Sequence, residues 1–574
     1  MTALADITDR SLHAALARFT AGISPAALAE AYLDWATHLA YAPGKRLQLV
    51  SKAMRKAGRF GNYLARYAVE GENAENCIEP LPQDHRFVGD AWRKWPFSLV
   101  YQAFLLQQQW WHNATTGVRG VSEKHEKMVE FGARQILDLA APSNFPLTNP
   151  EILLRTIGAG GINLLRGWQN FAEDWERAFS GKRPVGSEDF AVGRDVAVTR
   201  GEIVYRNRLI ELIQYTPTTA SACPEPILIV PAWNMKYYIL DLSPHNSLVK
   251  YLVDQGFTVF MISWKNAGPD DRDFGLDDYR TLGPMSALDV VNKIVPDQRV
   301  HAVGYCLGGT LLSIAAAAMA RDHDDRIATL TLFAAQTDFT EAGELMLFID
   351  ESQISFLEDL MWEQGFLDGR QMAGTFQMLR SNDLIWSRLV RDYLLGERQP
   401  MSDLMAWNAD ATRLPYRMHT EYLRQLFLDN DLAEGRFTVG DRAVTVADIR
   451  APIFAVGTEH DHVAPWRSTY KINLQTETEV TYLLTAGGHN AGIVSEPGHA
   501  GRSYRIRTKE TERHYRDPER FLSEAAFKEG SWWPEWAAWL KARSGAPGQL
   551  PQMGAAQSGY PIIGDAPGTY VLAD

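Results

Sequence analysis

A chain of 574 residues with 46% hydrophobic and 22% charged residues can hold more than one packed domain and is too apolar to be disordered throughout. A net charge of −13 argues against nucleic acid as the main partner, because phosphate binding needs a basic face, but does not exclude a small anion in a local basic pocket. No stretch approaches about 18 uninterrupted apolar residues, so no membrane span is expected, and residues 1–10 lack the basic and apolar parts of a secretory signal. The three cysteines, Cys77, Cys223 and Cys306, lie far apart without metal-ligand spacing, which suits a reducing, cytoplasmic setting and no bound metal.

In chain order, residues 12–69 read as helix, with Leu28, Tyr32, Trp35 and Leu39 repeating at helical spacing as one apolar stripe expected to pack on its own protein. Residues 84–111 are dense in aromatics (Phe87, Trp92, Trp95, Phe97, Tyr101, Phe104) and read as helix broken at Pro96. Another helix spans 122–139. Residues 181–187, with Pro184 and two glycines, are the best linker, so a mostly helical N-terminal domain is expected over 1–186.

From residue 187 the period changes. Residues 196–215 read as an antiparallel pair, and the apolar runs 227–230, 258–262, 300–303 and 328–333 alternate with helical segments such as 247–254 and 286–294. Continuous apolar strands separated by helices imply a parallel sheet covered on both faces. The alternation stops near Thr337, gives way to a mostly helical insertion to about Ala447, and resumes with strands at 453–456 and 480–484. Such an insertion is the usual place of a lid. A tail rich in Gly, Pro and Ala from about residue 545 reads as extended, and no internal repeat is visible.

The chemistry centres on residues 300–310, where a short strand ends at Gly304, Cys306 sits between Gly304 and Gly308, and an alanine-rich helix follows. This is the nucleophile-elbow pattern with Cys in the usual place of Ser. A Cys elbow needs a base and an acid to orient it, in the chain order nucleophile, acid, histidine. The loop after strand 453–456 offers Asp461, with Glu459 as the alternative, and the loop after strand 480–484 offers one histidine, His489. His460 and His462 read as ordinary loop residues. For the oxyanion of acyl transfer, the backbone N–H of Leu307 at the start of the elbow helix is one donor. The second is expected from the loop after strand 227–230, at Trp233 or Asn234. A thiolate exchanges readily with thioesters and its acyl product stays reactive toward an alcohol, so a thioester is the natural substrate.

Gly304-Tyr305-Cys306-Leu307-Gly308-Gly309 resembles the lipase-box-like signature of the polyhydroxyalkanoate synthases, of the single-subunit class I type. Further matches are Asp84-His85-Arg86-Phe87 with Trp92, residues 143–151, the run Lys236-Tyr237-Tyr238, and Ser263-Trp264. Others are residues 382–386, Trp407-Asn408 with His419, and residues 461–466. The resemblance implies an α/β-hydrolase core with a helical lid, and polymerisation of (R)-3-hydroxyacyl-CoA, short-chain 3-hydroxybutyryl-CoA above all, into polyester with release of CoA. It implies that Cys306 carries the chain, that His489 is the base, and that Asp461 orients His489 or helps deprotonate the incoming 3-hydroxyl. It also implies a homodimer, an N-terminal domain that binds the polyester granule, and no cofactor beyond the CoA thioester substrate. Two places depart from the family: Asn234-Met235 stands where Ile-Asn is common, and residues 493–497 replace an Asn-Pro-Pro segment. The same three groups would also serve an intracellular thioesterase or polyester depolymerase, and a granule-coating protein with a dead site is the reading outside enzymes.

Overall fold

The apolar runs of the second half come together at the centre of one sheet. The computed structural model describes residues 2–20, 22–369, 371, 372, 374, 381–510 and 515–573; the side chains of residues 2–4, 18, 19, 382 and 383 fall outside that description, and with them the Asn382-Asp383 part of the family match. The chain forms two compact units, one of residues 1–18, 186–372 and 401–574, the other of residues 19–185 and 373–400.

The first unit is built on β1 (Gly201–Arg206), β2 (Ile210–Tyr215), β3 (Ile227–Val230), β4 (Val259–Trp264), β5 (Val300–Tyr305) and β6 (Ile327–Phe333). Two small two-stranded sheets follow, β7 (Phe366–Leu367) with β8 (Leu414–Pro415) and the hairpin of β9 (Thr438–Val439) with β10 (Arg442–Ala443). Then come β11 (Ile453–Thr458), β12 (Val480–Thr485), β13 (Ser503–Lys509), β14 (Ala526–Glu529) and β15 (Gly564–Asp565). The main sheet has eleven strands in the order β14-β13-β12-β11-β6-β5-β3-β4-β2-β1-β15. From β12 through β4 every pairing is parallel, and those strands are buried along their whole length. That is the state continuous apolar strands require.

The edges are antiparallel, at one end as the reading of residues 196–215 expects and at the other through two strands the sequence did not announce. β1 and β2 pair antiparallel beside β4, and β13 and β14 close the other edge antiparallel, so the sheet is mixed. The tail, expected to be merely extended, returns to the sheet. β15 pairs with β1, Thr569 and Tyr570 donate backbone N–H groups to Glu211 at 2.9 Å each, and Lys236 Nζ donates to the carbonyls of Val571 (2.8 Å) and Ala573 (2.6 Å).

The helices of the first unit include α1 (Thr2–Phe19) and, farther on, α8 (Leu248–Asp254), α9 (Leu276–Arg280), α10 (Ser286–Ile294), α11 (Leu307–Arg321) and α12 (Glu351–Gln364), the numbers α2–α7 belonging to the second unit. α1 belongs here up to Arg18 because Ala17 is buried in the main core and His13 Nδ1 meets Asp359 Oδ2 at 2.7 Å. The chain therefore divides at three further places besides Val185/Gly186, and the insertion expected over 337–447 contributes residues 373–400 to the other unit.

That second unit holds α2 (Pro25–Ala40), α3 (Pro43–Glu70), α4 (Phe97–Thr115), α5 (Glu123–Leu139), α6 (Pro150–Gly158) and α7 (Ile162–Phe179). On α2 the buried face is Ala27 and Ala31, while Leu28 and Tyr32 of the expected stripe face outward. Small alanines let α2 lie close to α5, so the large side chains rotate away from the contact. The Asp84–Phe87 motif is structural: Arg86 bridges Asp84 (2.8 Å) and Asp138 (2.7 Å), with its guanidinium carbon 5.5 Å from the Phe87 ring centre. Gly167 of α7 has no room for a Cβ, which would overlap the Tyr393 carbonyl.

Candidate active site

β3, β5, β11 and β12 run parallel, so the loops after them emerge at one edge of the sheet. Cys306 follows β5 and caps α11 with φ 50° and ψ −122°. A side chain held there costs roughly 1–3 kcal/mol. Its backbone is held by its N–H donating to the Phe333 carbonyl at 2.8 Å and by its carbonyl accepting from Gly309 N–H at 2.9 Å. The flanking glycines are steric necessities. A Cβ at Gly308 would overlap the carbonyls of Val230 and Pro231, and one at Gly309 would lie 2.5 Å from Ala335 Cβ. The loop after β3, which carries Trp233 and Asn234, is therefore pressed against the elbow at Val230 and Pro231, and the N–H of Leu307 in the first turn of α11 lies outside the intrahelical pattern. That loop is pinned by Trp264 Nε1 donating to Pro231 O (2.8 Å), Trp407 Nε1 to Lys236 O (2.7 Å) and Thr412 Oγ1 to Trp233 O (3.3 Å).

Asp461 lies beyond β11 with its side chain wholly shielded from solvent. Oδ1 accepts from the backbone N–H groups of Val463 (2.9 Å) and Ala464 (2.8 Å). Oδ2 accepts from Thr458 Oγ1 (2.9 Å) and faces His489 Nδ1 at 2.7 Å. Burial pushes this carboxyl up, but the attraction of His489 and the hydrogen bonds outweigh it and hold Asp461 below the usual carboxylate range. For His489, burial pushes the imidazole down, while the charges of Asp461 and Cys306 and the hydrogen bonds to both carry it well above the ordinary value. The Nδ1 contact leaves Nε2 as the nitrogen available toward the thiol.

Cys306, Asp461 and His489 are thus brought together. Glu459 and His460 are exposed on the same loop and His462 is half-buried, so Asp461 alone of the two acids faces His489. Cys77 and Cys223 are buried, and burial pushes both thiols up.

Other neighbours were not singled out from the sequence as site residues. The Tyr305 ring lies 5.7 Å from that of His489, its hydroxyl donates to Asn490 Oδ1 at 2.5 Å, and Asn490 Nδ2 donates to Asn408 Oδ1 at 3.2 Å. Tyr422 is buried, and after burial it is the charge of Cys306 that holds its hydroxyl far above the usual range. Tyr305 sits beside the nucleophile in sequence, a signal that adjacency could have supplied. Tyr422 lies 116 positions from Cys306 and begins a π-type turn spanning Tyr422–Leu428, which no local pattern announces.

A strained cysteine at a strand–helix elbow, with a buried carboxylate–imidazole pair on the loops of two later parallel strands, defines an α/β-hydrolase-fold protein equipped for nucleophilic acyl transfer. An alpha/beta hydrolase fold family matches residues 225–495. The family described as poly-beta-hydroxybutyrate polymerase (PhaC) N-terminus matches residues 83–252, and a second, poly-beta-hydroxybutyrate polymerase N terminal, matches residues 3–45. The chain is 40% identical over 537 residues to a poly(3-hydroxyalkanoate) polymerase of Methylorubrum extorquens, covering 92% of this chain and 87% of that one. It is 35% identical over 521 residues to the poly(3-hydroxyalkanoate) polymerase subunit PhaC of Cupriavidus necator, covering 89% and 87%. The chain belongs to the poly(3-hydroxyalkanoate) polymerase family.

Proposed function

We propose that this chain polymerises (R)-3-hydroxyacyl-CoA into polyhydroxyalkanoate through a covalent acyl-Cys306 intermediate. The observation that carries the reading is the buried Asp461–His489 pair, 2.7 Å apart, turned toward a strained elbow cysteine. His489 takes the thiol proton, and Cys306 Sγ attacks the thioester carbonyl. The oxyanion lies against the N–H of Leu307 and a second N–H from the Trp233–Asn234 segment. Collapse breaks the bond to CoA sulfur, which leaves with the proton held by His489. In the second half, His489 removes the proton of a 3-hydroxyl. That oxygen attacks the acyl-Cys carbonyl, forming the ester and returning the thiol. Asp461 fixes the imidazole tautomer and stabilises the imidazolium at each stage. The exchange is redox-neutral and calls for no cofactor.

Purified protein supplied with 3-hydroxybutyryl-CoA is expected to release CoA and form insoluble polyester. CoA release with free acid as the only product would instead make the chain a thioesterase.

We also place the chain in the cytoplasm and on the surface of its own product, as a homodimer. Support for the surface comes from α6 and α7, where Ile157, Leu165, Trp168, Trp175 and Phe179 are each 59–84% exposed, an outward aromatic stripe suited to an apolar polyester. Among the described residues no helix is long and apolar enough to cross a membrane. Trp168→Glu with Trp175→Glu is expected to leave the protein in the supernatant when polyester particles are sedimented. Equal sedimentation of variant and wild type would remove the stripe from this role, and sedimentation equilibrium reads the dimer directly.

A further inference from the structure

The loop that abuts the elbow carries a polar side chain that the acyl-transfer steps leave unused. Asn234 stands on the loop whose carbonyls at Val230 and Pro231 abut Gly308 of the elbow. Its amide oxygen is buried and has no hydrogen-bond partner among the described residues, and its amide nitrogen faces Met372 Sδ at 4.0 Å, a weak acceptor. A buried amide left this poorly paired is a cost that a bound ligand removes.

Two more buried polar atoms share the neighbourhood. Trp233 Nε1 and His419 Nδ1 also lack partners among the described residues. Their rings each stand 6.0 Å from the Tyr422 ring, and the Tyr422 hydroxyl lies close enough to Cys306 to respond to its charge. His419 is neutral at working pH, because burial lowers it to about 4. Asn234 and the Trp233 and His419 rings around Tyr422 therefore offer an acceptor, a donor and a neutral imidazole nitrogen. A plain aliphatic acyl chain satisfies no acceptor. An acyl unit bearing a hydroxyl supplies the missing donor, and its carbonyl supplies a partner for an indole N–H.

We propose that the Asn234 side chain is a specificity-determining residue that accepts a hydrogen bond from the hydroxyl of the unit bound at Cys306, and so separates hydroxyacyl from plain acyl thioesters. The inference rests on the acyl-Cys306 reaction proposed above. A site built to bond a substrate hydroxyl rejects the analogue lacking it, because its own buried group is then left unpaired.

The test compares CoA release in a single turnover from 3-hydroxybutyryl-CoA and from butyryl-CoA, using the full-length protein. Wild type is expected to favour the hydroxy substrate by at least about tenfold in kcat/KM. Asn234→Leu is expected to collapse that preference, bringing the hydroxy-to-butyryl ratio of kcat/KM to within about threefold of one. Asn234→Ala is read in the same way should the leucine variant fail to fold by circular dichroism. Equal losses on both thioesters overturn the proposal and assign the amide to the oxyanion instead. Retained discrimination in the variants, or none in wild type, overturns it as well. Release of CoA from neither thioester by wild type would sink the acyl-transfer reading itself, and this proposal with it, so the two failures are told apart.

Discussion

Replacing Asp461 by Asn probes the site with little change of shape. Oδ1 would still accept from the Val463 and Ala464 N–H groups, now 2.9 and 2.8 Å away, so the loop should keep its fold. The other end of the amide becomes a donor facing His489 Nδ1, where a carboxylate oxygen now lies at 2.7 Å. A donor there turns Nδ1 into an acceptor and moves the imidazole proton to Nε2. Nε2 is the atom that must receive the proton of Cys306, so the base is blocked. The Asp461 charge that helps raise His489 is lost as well, leaving Cys306 alone to oppose the downward push of burial. In the serine-protease triad the same change of carboxylate to amide lowers kcat about 10⁴-fold. Each tenfold corresponds to about 1.4 kcal/mol, so roughly 5 kcal/mol of barrier is at stake. The assay is CoA release from 3-hydroxybutyryl-CoA, with thermal unfolding as the control. A loss of about 10³–10⁴-fold with an unfolding midpoint within a few degrees of wild type is expected. A loss below about tenfold in a folded variant would refute the reasoning.

Three further outcomes follow from the same contacts. Gly308→Ala drives a Cβ into the Val230 and Pro231 carbonyls, so it should lower stability by about 1–3 kcal/mol and turnover along with it, read by denaturant unfolding and CoA release. Removing residues 570–574 takes two carbonyl acceptors from the buried Lys236 ammonium on the loop after β3, and is expected to lower the unfolding midpoint and raise KM; an unchanged midpoint would count against that anchor. The site also predicts a stability plateau in pH. Asp461 is depressed on folding, so its contribution is present above the ordinary carboxylate value near 4 and is lost as pH falls through its lower folded value. His489 is raised, so its contribution is full below about 6.5 and is lost as pH rises through its higher folded value. Thermal scans across pH should therefore show wild type losing more stability than Asp461→Asn at both pH extremes.

What could be read from the sequence follows from how local each signal is. The central strands are continuous apolar runs, and the elbow glycines stand within four residues of Cys306, so both announce themselves. The positions after β11 and β12 that hold Asp461 and His489 were readable from strand–loop order. β13 was not, because Arg505, Arg507 and Lys509 leave only Tyr504 and Ile506 as apolar residues in a strand that is mostly half-buried. β14 is exposed throughout and β15 is two residues long, so neither has an apolar pattern to detect. The docking of the tail depends on Glu211, a carboxylate buried near the start of the fully buried strand β2, more than 350 residues from the Thr569 and Tyr570 groups that satisfy it. The exchange of residues 373–400 into the other unit rests on contacts such as Asn163 Nδ2 with the Leu394 carbonyl at 2.8 Å, again far apart in the chain. Tyr422 and His419 belong to the same class of signal, since burial and proximity, not residue type, single them out.

The central claim is that Cys306 carries the acyl group. Brief incubation with 3-hydroxybutyryl-CoA, acid quench and peptide mass analysis tests it without reference to the rest of the mechanism. The account predicts that the peptide holding Cys306 gains one or more hydroxybutyryl units, that hydroxylamine removes them, and that Cys306→Ala gains none and releases no CoA. Label on another residue, or sustained CoA release by Cys306→Ala, would contradict it.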